Sequence, residues 1–239
     1  MPRPGPSAGC PALPSPAPRY RDRVPDVTAA DCPSRALRRD AARNRARIVE
    51  AAQEVFCQQG LQAPIEDVAR RAGVGVATLY RRFPTRSDLI SCAFAAKLQD
   101  YADATDRALA DPDPWSGFCW YVERLCEMQA DDHGFTDILT MTFPMSPDHK
   151  EIRDRVFRRF VELVKRAKAT GRLRPDFSTE DLPLILMANA GVLAATSGAA
   201  PDAWRRLVGL MLQALQTPSR GPLPSPPTAA QMYAALDRS

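Results

Sequence analysis

The stretch GLQAPIEDVARRAGVGVATLYRRFPTRSDL, residues 60–89, sets the architecture of everything around it. Pro64 is preorganised for a first helical position, and Glu66 and Asp67 fall in the first turn, where carboxylates complement the helix dipole. Val68, Ala69 and Ala72 recur at helical spacing and predict the buried face of a short helix. Gly73, Val74 and Gly75 interrupt it, and a second short helix, VATLYRRF, stops before Pro84 because a residue preceding proline is pushed out of the helical region. Within it Leu79 and Phe83, four apart, are read as core. Upstream, with Ser34 as a possible N-cap, the run RALRRDAARNRARIVEAAQEVFCQQG lines up Ala42, Ala46, Ile48, Val49, Ala52 and Phe56 on one stripe and ends at Gly60. Three helices of unequal length, the last two joined by a tight turn containing Gly73, predict a helix-turn-helix inside a three-helix domain.

That arrangement has a chemistry. A recognition helix enters the major groove with its N-terminal residues near base edges, while side chains around it grip phosphates and hold its register. Val76 and Ala77 are small enough for the approach and can touch a thymine methyl, and Thr78 can donate to a phosphate or a base edge. Arg81 and Arg82 follow on the same helix, and Arg43, Arg45 or Arg47 can contribute from the long first helix. Arg70 and Arg71 read equally as surface charges and as phosphate contacts.

The segment strongly resembles the N-terminal domain of TetR-type transcriptional regulators, through the amphipathic first helix, the IxxVAxxAGV pattern, the TLYxxF of the recognition helix, and Arg86 and Asp88 after it. Its closer form, APxxxVARRAGVGxxTLYRRFP, is similar to a branch common among actinobacterial regulators. The resemblance covers roughly residues 38–90. It implies that Tyr80 contacts phosphate, that Arg82 stands where many relatives have histidine, and that Arg86 stands where a phosphate-binding lysine is common. The expected DNA-binding set is therefore Arg45, Val76, Ala77, Thr78, Tyr80, Arg81, Arg82 and Arg86. Two departures from the family pattern are Ala63 before Pro64, which supplies no side-chain cap, and Gly75, which lacks the hydroxyl often found there.

Outward from this head the chain stays helical. Thr85 with Asp88 resembles a capping box and opens a long helix to Ala110, and further helical runs follow at 115–132, 134–143, 146–170, 179–196 and 201–216. No repeat, sustained heptad or strand-like alternation interrupts them, so the fold class is all-α: a three-helix head and a six-helix domain. Of the 23 prolines, nine lie in residues 1–35 and five in 218–227, which marks 1–35 as a disordered Pro-rich arm and 218–239 as a Pro-rich tail in which 228–239 can form a short helix. Between them, 36–84 reads as the DNA-binding domain and 85–217 as the effector-binding and dimerisation domain. The net charge of +4 is uneven: residues 36–90 carry a surplus of four cations, and 91–216 a deficit of three.

Composition also excludes. No apolar run reaches the roughly 18–20 residues of a membrane helix, and the arm lacks the apolar stretch of a signal peptide, so a cytoplasmic protein is expected. Six scattered cysteines without a CxxC pair and only two histidines, His133 and His149, leave no metal site or cofactor expected. Without a phosphate loop, an HExxH motif or a supported nucleophile, catalysis is not expected either; a helical enzyme and an adaptor that has lost DNA binding are the alternatives to a regulator.

The six-helix half concentrates large apolar groups in residues 113–145. Trp115, Cys119, Trp120, Met128, Phe135, Leu139, Met141 and Phe143, with Met187 and Asn189 further on, are candidates to line a pocket for an apolar or amphipathic effector, and each reads as plain core as well. The resemblance implies a repressor released from a pseudo-palindromic operator by a small molecule. The last two helices, 179–196 with Thr179 as cap and 201–216, resemble the family's dimer-forming pair; Leu207, Leu210, Met211, Leu212 and Leu215 supply apolar surface and Ala188, Ala190, Gly191, Ala194 and Ala195 allow close approach.

Overall fold

The computed structural model describes residues 33–140, 147–219 and 221–236, and among these every regular element is a helix, with one isolated antiparallel bridge between Leu173 and Gln216. In chain order they are α1 (Pro33–Gln59), α2 (Ile65–Ala72), α3 (Val76–Arg82), α4 (Arg86–Ala110), α5 (Pro114–Asp131), α6 (His133–Thr140), α7 (Pro147–Ala169), α8 (Asp181–Thr196), α9 (Ala203–Ala214) and α10 (Ala229–Leu236). This is the predicted three-plus-six arrangement with the terminal helix added. The arm through residue 32 and the expected pocket residues Met141 and Phe143 lie outside the described residues. The chain divides into a unit ending at Arg39 and a unit Asp40–Ser239, so the helical head and the helices after it share one compact body.

The head is held by a small core. Ile48, Ala52 and Phe56 of α1, Val68, Ala69 and Ala72 of α2, Leu79 of α3 with Phe83 at its end, and Leu89 and Phe94 of α4 are all buried. Removing each large side chain from water stabilises the fold by about 1.5–3 kcal/mol. Phe56 stacks on Phe94 with ring centroids 6.4 Å apart, which joins α1 to α4 directly. The start of α4 is fixed by the reciprocal cap predicted for it: Asp88 N–H donates to Thr85 Oγ1 at 3.1 Å, and Thr85 N–H donates to Asp88 Oδ2 at 3.1 Å. Pro64 takes the N-cap of α2, one position before the expected one, with no side-chain cap.

Behind the head, α4 packs on α5 and α7, and α5 packs on α7, α8 and α9. Phe118 anchors this body, stacked on Trp115 at 5.7 Å and edge-on to Phe177 at 5.3 Å, while Tyr121 packs against Phe160 at 5.6 Å. The corner between α4 and α5 is tight because residue 117 is glycine: a Cβ there would stand 2.3 Å from the Ala108 carbonyl oxygen.

Two boundaries differ from the sequence reading. The eighth helix begins at Asp181 without the expected Thr179 cap, because the Asp181 carboxylate reaches back to accept the Ser178 N–H at 2.7 Å and a tight turn precedes the helix. The expected tail is tied down from its first residues. Thr217 N–H donates to Arg172 O at 2.9 Å, buried Arg174 grips Asp176 through Nε and Nη2, and Nη2 also donates to Gly221 O at 2.9 Å. Leu223 N–H then donates to Asp176 Oδ2 at 2.8 Å. The guanidinium holds the Asp176 carboxyl well below the usual carboxylate range.

The Gly117 contact makes a prediction. Gly117→Ala must displace backbone, not a flexible side-chain tip, and is expected to lower the unfolding free energy by about 1–3 kcal/mol in chemical denaturation. An unchanged midpoint would contradict the close α4–α5 approach.

Candidate nucleic-acid interface

The turn between α2 and α3 rests on Gly73, which takes φ 65° and ψ 39°, a left-handed conformation that lets its N–H close back on α2. Val74 N–H donates to Ala69 O at 3.0 Å, and the chain re-enters helix at Val76 after an extended Gly75. With about 100° between successive residues, Leu79 and Phe83 share one face of α3 and point into the core, both almost fully buried. Ala77, Arg81 and Arg82 are exposed on the other side, with Thr78 half-buried among them and Tyr80 exposed to 45% at the flank. Five of the expected contact residues thus share one outward surface.

The arginines divide by what holds them. Arg81 and Arg82 are exposed and have no ion pair or hydrogen bond among the described residues. Arg70 pairs with Asp67, Arg71 with Glu54 and Arg43 with Asp40. Arg45, at the surface of α1, donates to Cys92 Sγ at 3.1 Å and lies over the Phe83 ring at 5.1 Å, which places it beside the C-terminal end of α3.

Two of the expected contact residues are engaged within the fold. Val76 is half-buried and packs on the core, because it lies one turn before Leu79 and Tyr80 on the inward side of α3. Arg86 is not a free phosphate ligand: its Nη2 donates to Leu61 O and Ala63 O, its Nε donates to Leu61 O at 3.1 Å, and the group lies over the Phe56 ring at 5.6 Å. These carbonyls belong to the turn between α1 and α2, so Arg86 ties the start of α4 to that turn. Burial lowers its guanidinium from the ordinary value while leaving it charged.

The effector-side candidates do not converge on one site. Trp115, Met128 and Phe135 are buried in the packed core, and Leu139 and Cys119 are half-buried against it; burial pushes the Cys119 thiol up to about 12, which makes it a poor nucleophile. Trp120 lines an open cleft of about 310 Å³ with Glu123, Arg124, Trp204 and Val208, and Arg107 lies over its ring at 4.2 Å. Met187 is exposed on α8, whereas Asn189 is fully buried on another face. Asn189 Nδ2 donates to Cys126 O at 3.2 Å and to Gln129 Oε1 at 3.0 Å, leaving Oδ1 without a hydrogen-bond partner among the described residues. Asp137 was not among the sequence candidates, yet its Oδ2 accepts the Leu61 N–H at 2.6 Å. Gly60, with positive φ and facing the Asp137 carboxylate, is the sequence feature that accompanies this contact.

Comparison with known proteins agrees with this geometry. Residues 48–91 match the family model described as bacterial regulatory proteins, tetR family, and residues 113–217 match the C-terminal domain of SbtR-like transcriptional regulators. An HTH-type transcriptional regulator of Staphylococcus aureus (strain USA300) is 41% identical over 54 residues, 22% of this chain and 29% of that relative. The match therefore spans less than a third of the curated relative. Among solved structures, a TetR transcriptional regulator from Streptomyces coelicolor is 29% identical with a TM-score of 0.47, covering 73% of this chain and 99% of that one. A TetR-family regulator from Agrobacterium tumefaciens is 17% identical with a TM-score of 0.52, covering 74% of this chain and 99% of that one, a likeness of fold.

The half-buried Arg86 clamp leads to a stability prediction. Arg86→Ala leaves the Leu61 and Ala63 carbonyls without that donor and is expected to lower the unfolding free energy by about 1.5–3 kcal/mol. Arg86→Lys is not expected to restore it fully, since one ammonium cannot reproduce the planar fork. A wild-type denaturation midpoint in Arg86→Ala would return the residue to the surface role first expected of it.

Proposed function

The chain belongs to the TetR family of bacterial regulatory proteins, and from that membership and the outward face of α3 we propose that it is a sequence-specific, DNA-binding transcriptional regulator. The observation that carries the reading is the pair of unpartnered, exposed guanidiniums of Arg81 and Arg82 beside Ala77, Thr78 and Tyr80, on a helix whose opposite face is locked by Leu79 and Phe83. Small residues allow the helix to approach base edges, and Arg81, turned most directly outward, suits a guanine edge, while Tyr80 and Arg82 at the flanks suit phosphates. Arg45 supports the end of α3. The relatives are named as regulators, which favours this reading over a helical enzyme or an adaptor.

The proposal includes a two-fold homodimer through α8 and α9. After Asp181 no charged residue occurs in α8, and Leu184, Met187 and Leu210 are exposed beside the small residues Ala188, Gly191 and Ala195. An exposed apolar face of this kind is the mark of a contact surface, and a two-fold axis presents two recognition helices to a pseudo-palindromic operator. Leu207 and Met211, first expected as anchors, are half-buried in the chain itself, so Leu184 and Leu210 are the better probes.

We further propose that an amphipathic small molecule releases the DNA, as a repressor requires. Its support is Asn189 Oδ1: a buried acceptor left bare costs about 1–3 kcal/mol, and a ligand bringing one donor and an apolar body between α5 and α8 would relieve that cost. Release then needs only that the ligand bind the DNA-incompetent arrangement more tightly.

Two measurements test these readings. Arg82→Ala is expected to weaken selected and random duplexes alike and to reduce the magnitude of the salt slope by about 0.9, whereas Arg81→Ala should lose discrimination at one base pair by roughly 10–100-fold. Binding unchanged in both would remove the outward face of α3 from the interface. Leu184→Glu combined with Leu210→Glu is expected to sediment as a folded monomer, and an intact dimer would place the interface elsewhere.

A further inference from the structure

Asp137 lies on α6, far along the chain from the head, yet it makes the shortest link between the two. Its Oδ2 accepts the N–H of Leu61 at 2.6 Å. Leu61 is 1% exposed and follows Gly60, whose φ of 77° closes α1 with a hydrogen bond from Gly60 N–H to Phe56 O at 2.9 Å. A Cβ at Gly60 would stand 2.8 Å from that same Oδ2, so the glycine is what admits the carboxylate. Gly134, at the start of α6, admits a different close approach, of α6 to α1 and α4: a Cβ there would stand 2.6 Å from Phe94 Cζ and 2.8 Å from Phe56 O.

The peptide groups of Leu61 are therefore held from two directions. Its N–H is bound by α6 through Asp137, and its carbonyl by α4 through Arg86. The corner before α6 is fixed in turn: Lys97 of α4 pairs with Asp132 at 2.6 Å, and Asp132 Oδ1 accepts the Phe135 N–H at 3.0 Å. A carboxylate half withdrawn from water is an unfavourable group to keep unless its bond repays it, and here that bond reaches the turn from which α2 and then α3 depart.

We infer that Asp137 is a positioning residue for the reading head, holding through the Leu61 amide the α1–α2 turn from which α2 and then α3 depart. The inference rests on the DNA-binding reading above and adds to it a named contact between α6 and the turn that launches the head.

The test compares Asp137→Ala and Asp137→Asn in the full chain. Both remove the same charge, so electrostatic attraction to DNA changes equally, but asparagine keeps an oxygen that can accept from Leu61. The probe is a duplex recovered from a random pool by the wild-type protein, and Leu61 amide exchange is measured alongside. Asp137→Ala is expected to exchange Leu61 at least about tenfold faster and to bind the duplex about tenfold more weakly, with the dimer intact, whereas Asp137→Asn recovers most of both. If the alanine variant does not fold, Asp137→Ser, one atom too short to reach Leu61, makes the same comparison. Leu61 protected equally in every variant, or asparagine behaving as alanine does, overturns the inference. Equal duplex affinity in alanine and wild type overturns it as well. A wild-type chain that enriches no duplex overturns the DNA-binding reading itself, a result distinct from variants that bind as the wild type does.

Discussion

A helix of seven residues does not persist in water by itself, because the cost of nucleating its first turn is not recovered over so short a length. α3 exists because Leu79 and Phe83 are buried in the core of the head, and the proposed reading surface exists only as the reverse side of that burial. The same constraint explains the composition of the face left outside. Nothing on it needs to hold the helix together, so it is free to carry Ala77, Thr78, Tyr80, Arg81 and Arg82. It also explains why the head is continuous with the body: Phe56 on Phe94, Arg86 on the Leu61 and Ala63 carbonyls, and Asp137 on the Leu61 amide all converge on the turn that launches α2.

Charge in the head is less a uniform basic patch than a sorting of guanidiniums. Those of α1 and α2 that have a nearby acid are paired with it, and such exposed pairs contribute little stability but leave little net field. Arg86 is taken into the fold. Arg45 and Arg47 donate to Cys92 Sγ and to the Ala72 carbonyl, and Arg81 and Arg82 are without a partner among the described residues, aimed outward from the helix. The surplus of four cations in residues 36–90 is thus a poor guide to where an anion is met, and the partner of each cation is the better one.

The helical body reflects a similar economy. Its aromatic residues satisfy one another: Trp115, Phe118 and Phe177 form one cluster, Tyr121 and Phe160 another, and among its buried polar residues Asn189 keeps an oxygen without a partner among the described residues. Apolar side chains left outside include Leu184 and Met187 of α8 and Leu210 of α9, the face of the proposed dimer, and Phe157 and Val161 of α7. The tail beyond Gln216 is kept against the body by the Arg174–Asp176 pair, so its prolines extend the chain along a surface without releasing it.

Much of this was legible in the sequence. The period of apolar residues, Gly73 between two short helices and the Thr85–Asp88 cap mark out helices, boundaries and a helix-turn-helix along the chain, even where, as in α3, burial against the rest of the head is what stabilises them. The outward residues of α3 follow from the same periodicity. The fate of side chains long enough to reach across the fold was not legible. An arginine at 86 has the same local chemistry whether it meets a phosphate or the carbonyl of Leu61, and an aspartate at 137 reads as surface until the turn at Gly60 is brought beside it. Trp115 and Phe135, taken singly, read as core more readily than as pocket. Those choices were decided by tertiary structure alone, because a hydrogen bond between residues 76 positions apart depends on how helices pack and leaves no period in the chain.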